Sequence, residues 1–304
     1  MKNGAIWKDV NGDDIQAHGG CIIQHGGTYY WYGEHKGVPN RPGAYEVDVV
    51  GVSCYSSSDL VSWKYEGLVL EADRDDPDSY IHPSKVLERP KVIYNEKTGR
   101  FVLWMHIDSA DRCLAGVGIA TSDSPTGPFE LKKVCVPNRQ DSRDMTLFKD
   151  RDGTAYLFHS TDRNKTMGIT RLADDYADVT DFFISTLVDQ KREAPAMFYH
   201  NGLYYMITSG CTGWDPNAAL YATCPHLLGK WKLIDNPCEG KNYRQTFYGQ
   251  SSYVFEAGGK FYLMLDHWKR EELCKSGYSI LPIECEPDGS ITVRWQDEWN
   301  GINA

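Results

Sequence analysis

Short runs of apolar and aromatic residues alternate along this chain with small clusters of glycine, asparagine and aspartate. Five of these clusters open the same pattern: Gly26-Gly27 before Thr28-Tyr29-Tyr30-Trp31-Tyr32, Thr98-Gly99 before Arg100-Phe101-Val102-Leu103-Trp104, Asp152-Gly153 before Thr154-Ala155-Tyr156-Leu157-Phe158, Asn201-Gly202 before Leu203-Tyr204-Tyr205-Met206-Ile207, and Gly258-Gly259 before Lys260-Phe261-Tyr262-Leu263-Met264. Such clusters supply the positive φ angles of tight hairpins, and the residues after them suit strands. A short strand is expected before each turn, at Gly20 to Gln24, Lys91 to Tyr94, Met145 to Lys149, Ala196 to His200 and Tyr253 to Glu256.

Third strands are expected at Gly51 to Tyr55, Gly116 to Ala120, Met167 to Thr170 and Ala219 to Ala222. Similar exits at Ser58-Asp59-Leu60 with Trp63, Pro128-Phe129-Glu130, and Pro225-His226-Leu227 with Trp231 suggest a fourth. Four strands repeated at intervals of roughly 50 to 70 residues match the blade size of a β-propeller. A β-sandwich or jelly roll is the rival, but it needs no five similar units. The expected fold is therefore all-β, a five-bladed β-propeller occupying residues 1–304 as one domain, with nothing left over for a carbohydrate-binding module.

In a propeller the innermost strands line a central channel, so equivalent positions on them converge. Nine residues before the turn glycine stand His18, Asp144, Glu193 and Gln250, and eleven before Gly99, whose turn is longer, stands Glu88. Strand entrances near solvent are commonly polar, so polarity alone means little. Three acids in one register are another matter, because gathered carboxylates repel one another and lose solvation. Glycosidic bond cleavage needs such a set: one protonated acid for the leaving oxygen, a second group for water or covalent attack, and a neighbour to tune the acid. His18, Tyr32, Glu34, His106, Thr212 and Trp214 are candidates to hold a sugar face and its hydroxyls.

These residues resemble glycoside hydrolase family 43 over essentially the whole chain. Asp144, before Leu147-Phe148-Lys149-Asp150-Arg151-Asp152-Gly153, matches the family's pKa-tuning aspartate, and Glu193, in Arg192-Glu193-Ala194-Pro195, matches its general acid. The family's usual base is an aspartate on the first blade, where this chain reads Ile15-Gln16-Ala17-His18-Gly19-Gly20. That departure, with Tyr30-Trp31-Tyr32-Gly33-Glu34 and Gln250-Ser251-Ser252, resembles the exo-β-1,3-galactanase subfamily, which acts with inversion on the backbone of arabinogalactans. The resemblance implies that Gln250 serves as base in an imidic-acid form and that Glu88 is also important. Glu88 itself and His18 are the other candidates for the base. The resemblance further implies an ion or ordered water in the central channel near His267; acid–base chemistry itself requires no cofactor. A family 43 arabinofuranosidase or xylosidase and a non-catalytic galactan-binding propeller are the alternatives.

Charge and cysteine content narrow this picture slightly. The net charge of −10 is spread along the chain, without the Lys/Arg-rich block that tracks phosphates, so a polysaccharide or oligosaccharide partner is expected and nucleic acid is not. No apolar run approaches the roughly 20 residues of a membrane helix, so no membrane partner is expected. The nine scattered cysteines read as individual buried thiols, and no zinc-type spacing is present. A monomer is expected. The first residues lack the apolar core of a signal peptide, which fits a cytoplasmic chain or a secreted one whose signal has been removed.

Overall fold

A computed structural model describes residues 1–302. Five antiparallel sheets follow one another along the chain. The first blade comprises β1 (His18–His25), β2 (Thr28–Glu34), β3 (Gly51–Ser57) and β4 (Lys64–Glu71), and the second β5 (Val86–Asn95), β6 (Arg100–Asp108), β7 (Gly116–Ser122) and β8 (Glu130–Cys135). The third holds β9 (Met145–Lys149), β10 (Ala155–Thr161), β11 (Thr166–Leu172) and β12 (Val179–Thr186), and the fourth β13 (Arg192–His200), β14 (Leu203–Gly210), β15 (Leu220–Cys224) and β16 (Lys232–Leu233). The fifth gathers β18 (Gln250–Ala257), β19 (Lys260–His267), β20 (Gly277–Cys285) and β21 (Ile291–Arg294), with the short β17 (Cys238–Glu239) added in parallel at its edge. The inner strands β1, β5, β9, β13 and β18 neighbour one another in a closed circle, which makes the molecule a five-bladed propeller. Among the described residues no helix is long and apolar enough to cross a membrane.

Each blade is a twisted sheet whose two faces are apolar, so each must bury a face against the next. The core accordingly divides into five clusters, one at each junction between neighbouring blades. Between the first and second blades Leu103, Met105 and Ile107 pack on Tyr32, Val52 and Cys54. Tyr32, expected at the sugar site, is wholly buried there, and its hydroxyl donates to the Pro125 carbonyl at 2.6 Å.

The first and fifth blades share no strand. Their junction is built from Trp7, Trp31, Trp63, Tyr278 and Trp299, with Trp31 edge-on to Trp63 and Tyr278 at centroid distances of 5.3 and 4.8 Å. The Tyr278 hydroxyl crosses this seam: it donates to the Ile15 carbonyl at 2.9 Å and accepts from the Ala17 amide at 2.9 Å. Tyr278→Phe leaves that buried amide unpaired. It is expected to cost about 1–3 kcal/mol, read as a lower urea midpoint with an unchanged slope.

The inner strands begin earlier than the alternation of residues implies. β1, β5, β13 and β18 each extend outward past the expected start, because a β-bulge interrupts the period-two pattern between His18 and Cys21, Glu88 and Lys91, Glu193 and Ala196, and Ser251 and Tyr253. Bulges of this kind bend a strand and re-aim its side chains. Three place the residue after the register position in the left-handed region, with φ of 58° at Gly19, 55° at Arg89 and 53° at Ala194. At Gly19 a Cβ would stand 2.5 Å from the Glu34 carboxylate, so only glycine fits.

Candidate active site

Four of the five register residues meet in one cleft of about 410 Å³ at the mouth of the channel: Glu88, Glu193 and Gln250 from bulged strands, and Asp144 from the entrance of the regular β9. Glu34 and Trp214 also line it, together with Lys36, Tyr45, Glu46, Arg89, Arg112 and Trp268.

Arg89 is the hub. Its Nε and Nη2 donate to the two oxygens of Asp144, each at 2.9 Å, a bidentate pair of the strong kind. Nη2 also donates to Gln250 Oε1 at 2.6 Å, and Nη1 to the Ser251 carbonyl at 3.2 Å. The Arg89 amide, turned by the bulge, donates to Glu34 Oε1 at 2.9 Å. Beneath it the fully buried Lys91 ammonium donates to the Gly19 and Arg89 carbonyls at 2.5 and 3.3 Å, tying two bulges together. Burial pulls the Lys91 amine down to about 8.

The amide of Gln250 has a fixed orientation. Its Oε1 faces two groups that can only donate, the Arg89 guanidinium and the Trp268 indole N–H at 2.9 Å, so the carbonyl must point there. Its Nε2 then donates to Glu193 Oε1 at 3.1 Å and to Ser209 Oγ at 3.0 Å. All four hydrogen-bonding positions are taken. An imidic acid would have to carry its new proton on the oxygen that already accepts from two donors, which opposes that tautomer in this arrangement.

Two carboxyls are driven apart. Burial, and next the Asp144 carboxylate, push Glu193 up to about 8, outweighing the opposing pull of Arg89. Glu88 goes the other way: burial alone would raise it, but Arg112, His106, Lys36 and Arg89 together hold it down at about 2. Arg112 Nη2 lies 3.3 Å from Glu88 Oε1. Environments that separate two acids in this manner mark one as proton donor and the other as a standing anion at neutral pH. The Cys211 thiol also lies against Glu193, and burial with that acid pushes it up to about 12.

Besides Tyr32, three expected contacts do not line the cleft. His18 is wholly buried, its Nδ1 3.3 Å from Asp266 Oδ1 and its Nε2 3.0 Å from the Tyr278 hydroxyl, stacked on that ring at 4.7 Å. Both nitrogens are occupied, which leaves none for substrate or water. His106 pairs with Glu88 across the sheet but lies buried behind it, Nδ1 3.1 Å from the Gly116 carbonyl. Thr212 braces its own loop, donating to the Asp215 carbonyl at 2.6 Å and accepting from Asn217 at 2.8 Å. Trp214, beside it, does reach the cleft and meets Trp268 edge to face at 5.8 Å.

His267, the expected neighbour of a channel ion, is buried with Nε2 2.7 Å from Ser279 Oγ, and burial lowers its pKa to about 4. Among the described residues no group of three or more His, Cys, Asp or Glu is arranged to hold a metal. The side chains there do not fit an ion.

The model of glycosyl hydrolases family 43 matches residues 16–291, nearly the whole chain. The chain belongs to that family. A family 43 β-1,3-galactosidase solved with galactodeoxynojirimycin superposes on this glycosyl hydrolase with a TM-score of 0.92 at 37% identity, covering 99% of this chain and 100% of that one. An exo-β-1,3-galactanase of Phanerochaete chrysosporium, solved with β-1,3-galactotriose, superposes with a TM-score of 0.89 at 34% identity over 100% of this chain and 68% of that one. A curated relative, an arabinoxylan arabinofuranohydrolase of Paenibacillus polymyxa, is 22% identical over 284 residues, and this chain spans 42% of its length.

Arg89, Lys36, Arg112 and Trp268 were not singled out from sequence. Arg89 follows Glu88 directly, in the slot that Gly19 fills on the first blade, and that glycine was the available hint that the position after the register residue turns back toward the cleft. Arg89→Met in this family 43 enzyme is expected to lower kcat/KM by about 10²-fold through misplacement of Asp144 and Gln250. Because the guanidinium opposes the rise of Glu193, the alkaline limb of the pH profile should move above 8 in the same variant.

Proposed function

We propose that this family 43 enzyme is an exo-acting β-1,3-galactanase that releases galactose with inversion. The observation that carries this reading is the divided pair in one cleft, Glu193 holding its proton to about 8 and Glu88 ionised from about 2. Glu193 protonates the leaving glycosidic oxygen while Glu88 takes a proton from the water that attacks the opposite face of the sugar. Gln250, held between Arg89 and Glu193, positions the acid.

Similarity to a β-1,3-galactosidase and to an exo-β-1,3-galactanase over almost the whole chain supports galactan as the substrate. Exo action is supported by the loops at one end of the cleft. Arg112, between β6 and β7, donates to Glu46, between β2 and β3, at 2.8 and 3.1 Å, a bridge across the wall shared by the first two blades. Linear β-1,3-galactan should yield free galactose, seen first as the α-anomer in proton NMR. The β-anomer would overturn inversion; release of arabinose or xylose from aryl glycosides, with galactan untouched, would overturn the substrate.

A further inference from the structure

A second, larger hollow of about 920 Å³ lies on the fifth blade, and Trp268 belongs to the walls of both it and the catalytic cleft. Between them a shallow depression is lined by Trp214, Gln250, Trp268 and Tyr248. Tyr248 is 54% exposed, and its ring belongs to the walls of both this depression and the larger hollow. The half-buried Trp295 stands further along the hollow, packed on Phe247 at 5.6 Å with its N–H donated to Asp297 at 2.8 Å.

The backbone under Tyr248 is strained. Thr246, Phe247 and Tyr248, none of them glycine, take φ of 49°, 56° and 68° in succession. Such residues persist only where their surroundings over-determine them. They do so here: Thr246 Oγ1 donates to the Asn217 carbonyl and accepts from the Ala219 amide, both at 2.7 Å, and Phe247 is buried in the core. The Tyr248 hydroxyl donates to Asn242 at 3.3 Å. Tertiary contacts thus hold a strained loop that presents an aromatic ring to solvent at the rim of the cleft.

We infer that this hollow is a second carbohydrate site, which takes the galactan chain on the leaving-group side of the bond being cut, with a pyranose ring beyond the first leaving-group residue laid on Tyr248. The inference rests on the galactanase reading. Continuity with the cleft over Trp268 selects the same polymer as its occupant, because a chain whose last residue lies beside Glu193 and Gln250 has this path off the blind wall at Arg112 and Glu46. The charges lining the hollow are mixed in sign, Lys241, Lys269 and Arg294 against Glu239 and Asp297, with Arg294 paired to Glu239 at 2.7 Å, and a neutral ligand suits such a mixture better than a polyanion. Flat aromatic faces beside amide and carboxylate side chains suit sugar rings and their hydroxyls.

The test compares Tyr248→Ala with Tyr248→Phe. For Tyr248→Ala, kcat/KM on long β-1,3-galactan should fall about tenfold, the worth of one aromatic contact, while that on β-1,3-galactobiose stays at the wild-type value; Tyr248→Phe should keep most of the polymer rate. An equal rate on polymer, or an equal fall on both substrates, overturns the proposal. Affinity electrophoresis in gels containing galactan is independent of turnover. Retardation of the wild type that Tyr248→Ala relieves supports the second site, and absence of retardation overturns it. Retardation without any cleavage of galactan would defeat the galactanase reading while leaving the site standing.

Discussion

Glu193→Gln is expected to slow galactan hydrolysis by about 10²–10⁴-fold, the usual contribution of a positioned general acid. The substitution keeps the shape of the side chain and an oxygen to accept from Gln250, which donates to Glu193 at 3.1 Å, so the network around Arg89 should survive. What disappears is the proton, which burial and Asp144 retain to about pH 8. An aryl galactoside with a good leaving group needs no protonation, so its rate should fall far less, and the alkaline limb near pH 8 should vanish. Equal losses on both substrates would remove Glu193 from this role. Stability offers an independent reading. The carboxyl holds its proton to about 8 when folded but only to about 4.3 when unfolded. Between those values the unfolded chain binds fewer protons, so wild-type stability falls as pH rises through the window. Glu193→Gln lacks that slope, and its urea midpoint should gain on the wild type between pH 4.5 and 8.

Glu88→Gln should cost about 10²–10⁴-fold on every substrate, whatever the leaving group, because the water loses its proton acceptor. Azide needs no deprotonation. It should therefore attack the anomeric carbon from the water side as the C–O bond breaks and Glu193 protonates the departing oxygen, giving α-galactosyl azide and part of the lost rate. Gln250→Ala should show no such rescue if its role is to hold Glu193 and Arg89; a rescue confined to Gln250→Ala would reverse the two assignments. Glu88 is kept ionised above about 2 by cations that outweigh its burial, Arg112 foremost. The acidic limb of kcat/KM should accordingly lie near that value and climb toward the ordinary carboxylate range in Arg112→Gln.

The repeat of turn glycine and aromatic strand made the blade count legible, since every hairpin turn falls where the glycines place it. The converging register was legible for the same reason: position along an inner strand is counted from its turn. Counting yields depth, but it cannot yield direction. His18 shares the register of Glu88 and Glu193, yet Asp266 and Tyr278 from the fifth blade turn its ring into the seam. Arg89 stands one residue out of register, and a left-handed bulge turns its backbone so that the side chain reaches Asp144 and Gln250. Thr212 and Trp214 are two residues apart on one loop, whose internal hydrogen bonds decide which of them meets the cleft. In each case the deciding partner comes from another blade or from loop geometry, neither of which leaves a periodic trace.

The seam between the first and fifth blades concentrates the entropy of closing the ring. Hairpins and neighbouring blades join residues close in sequence, and such contacts form at little cost in chain entropy. The bond between Tyr278 and His18 spans 260 residues, and that between Trp299 and Leu60 spans 239. Their loop-closure penalty falls on this one junction, since the other four junctions can form first and leave the five blades as an open arc. Native-state hydrogen exchange should therefore find a partly opened ring as the lowest-energy excursion, with amides of β1 and β20 losing protection together while those of β10 and β14 keep the protection of global unfolding.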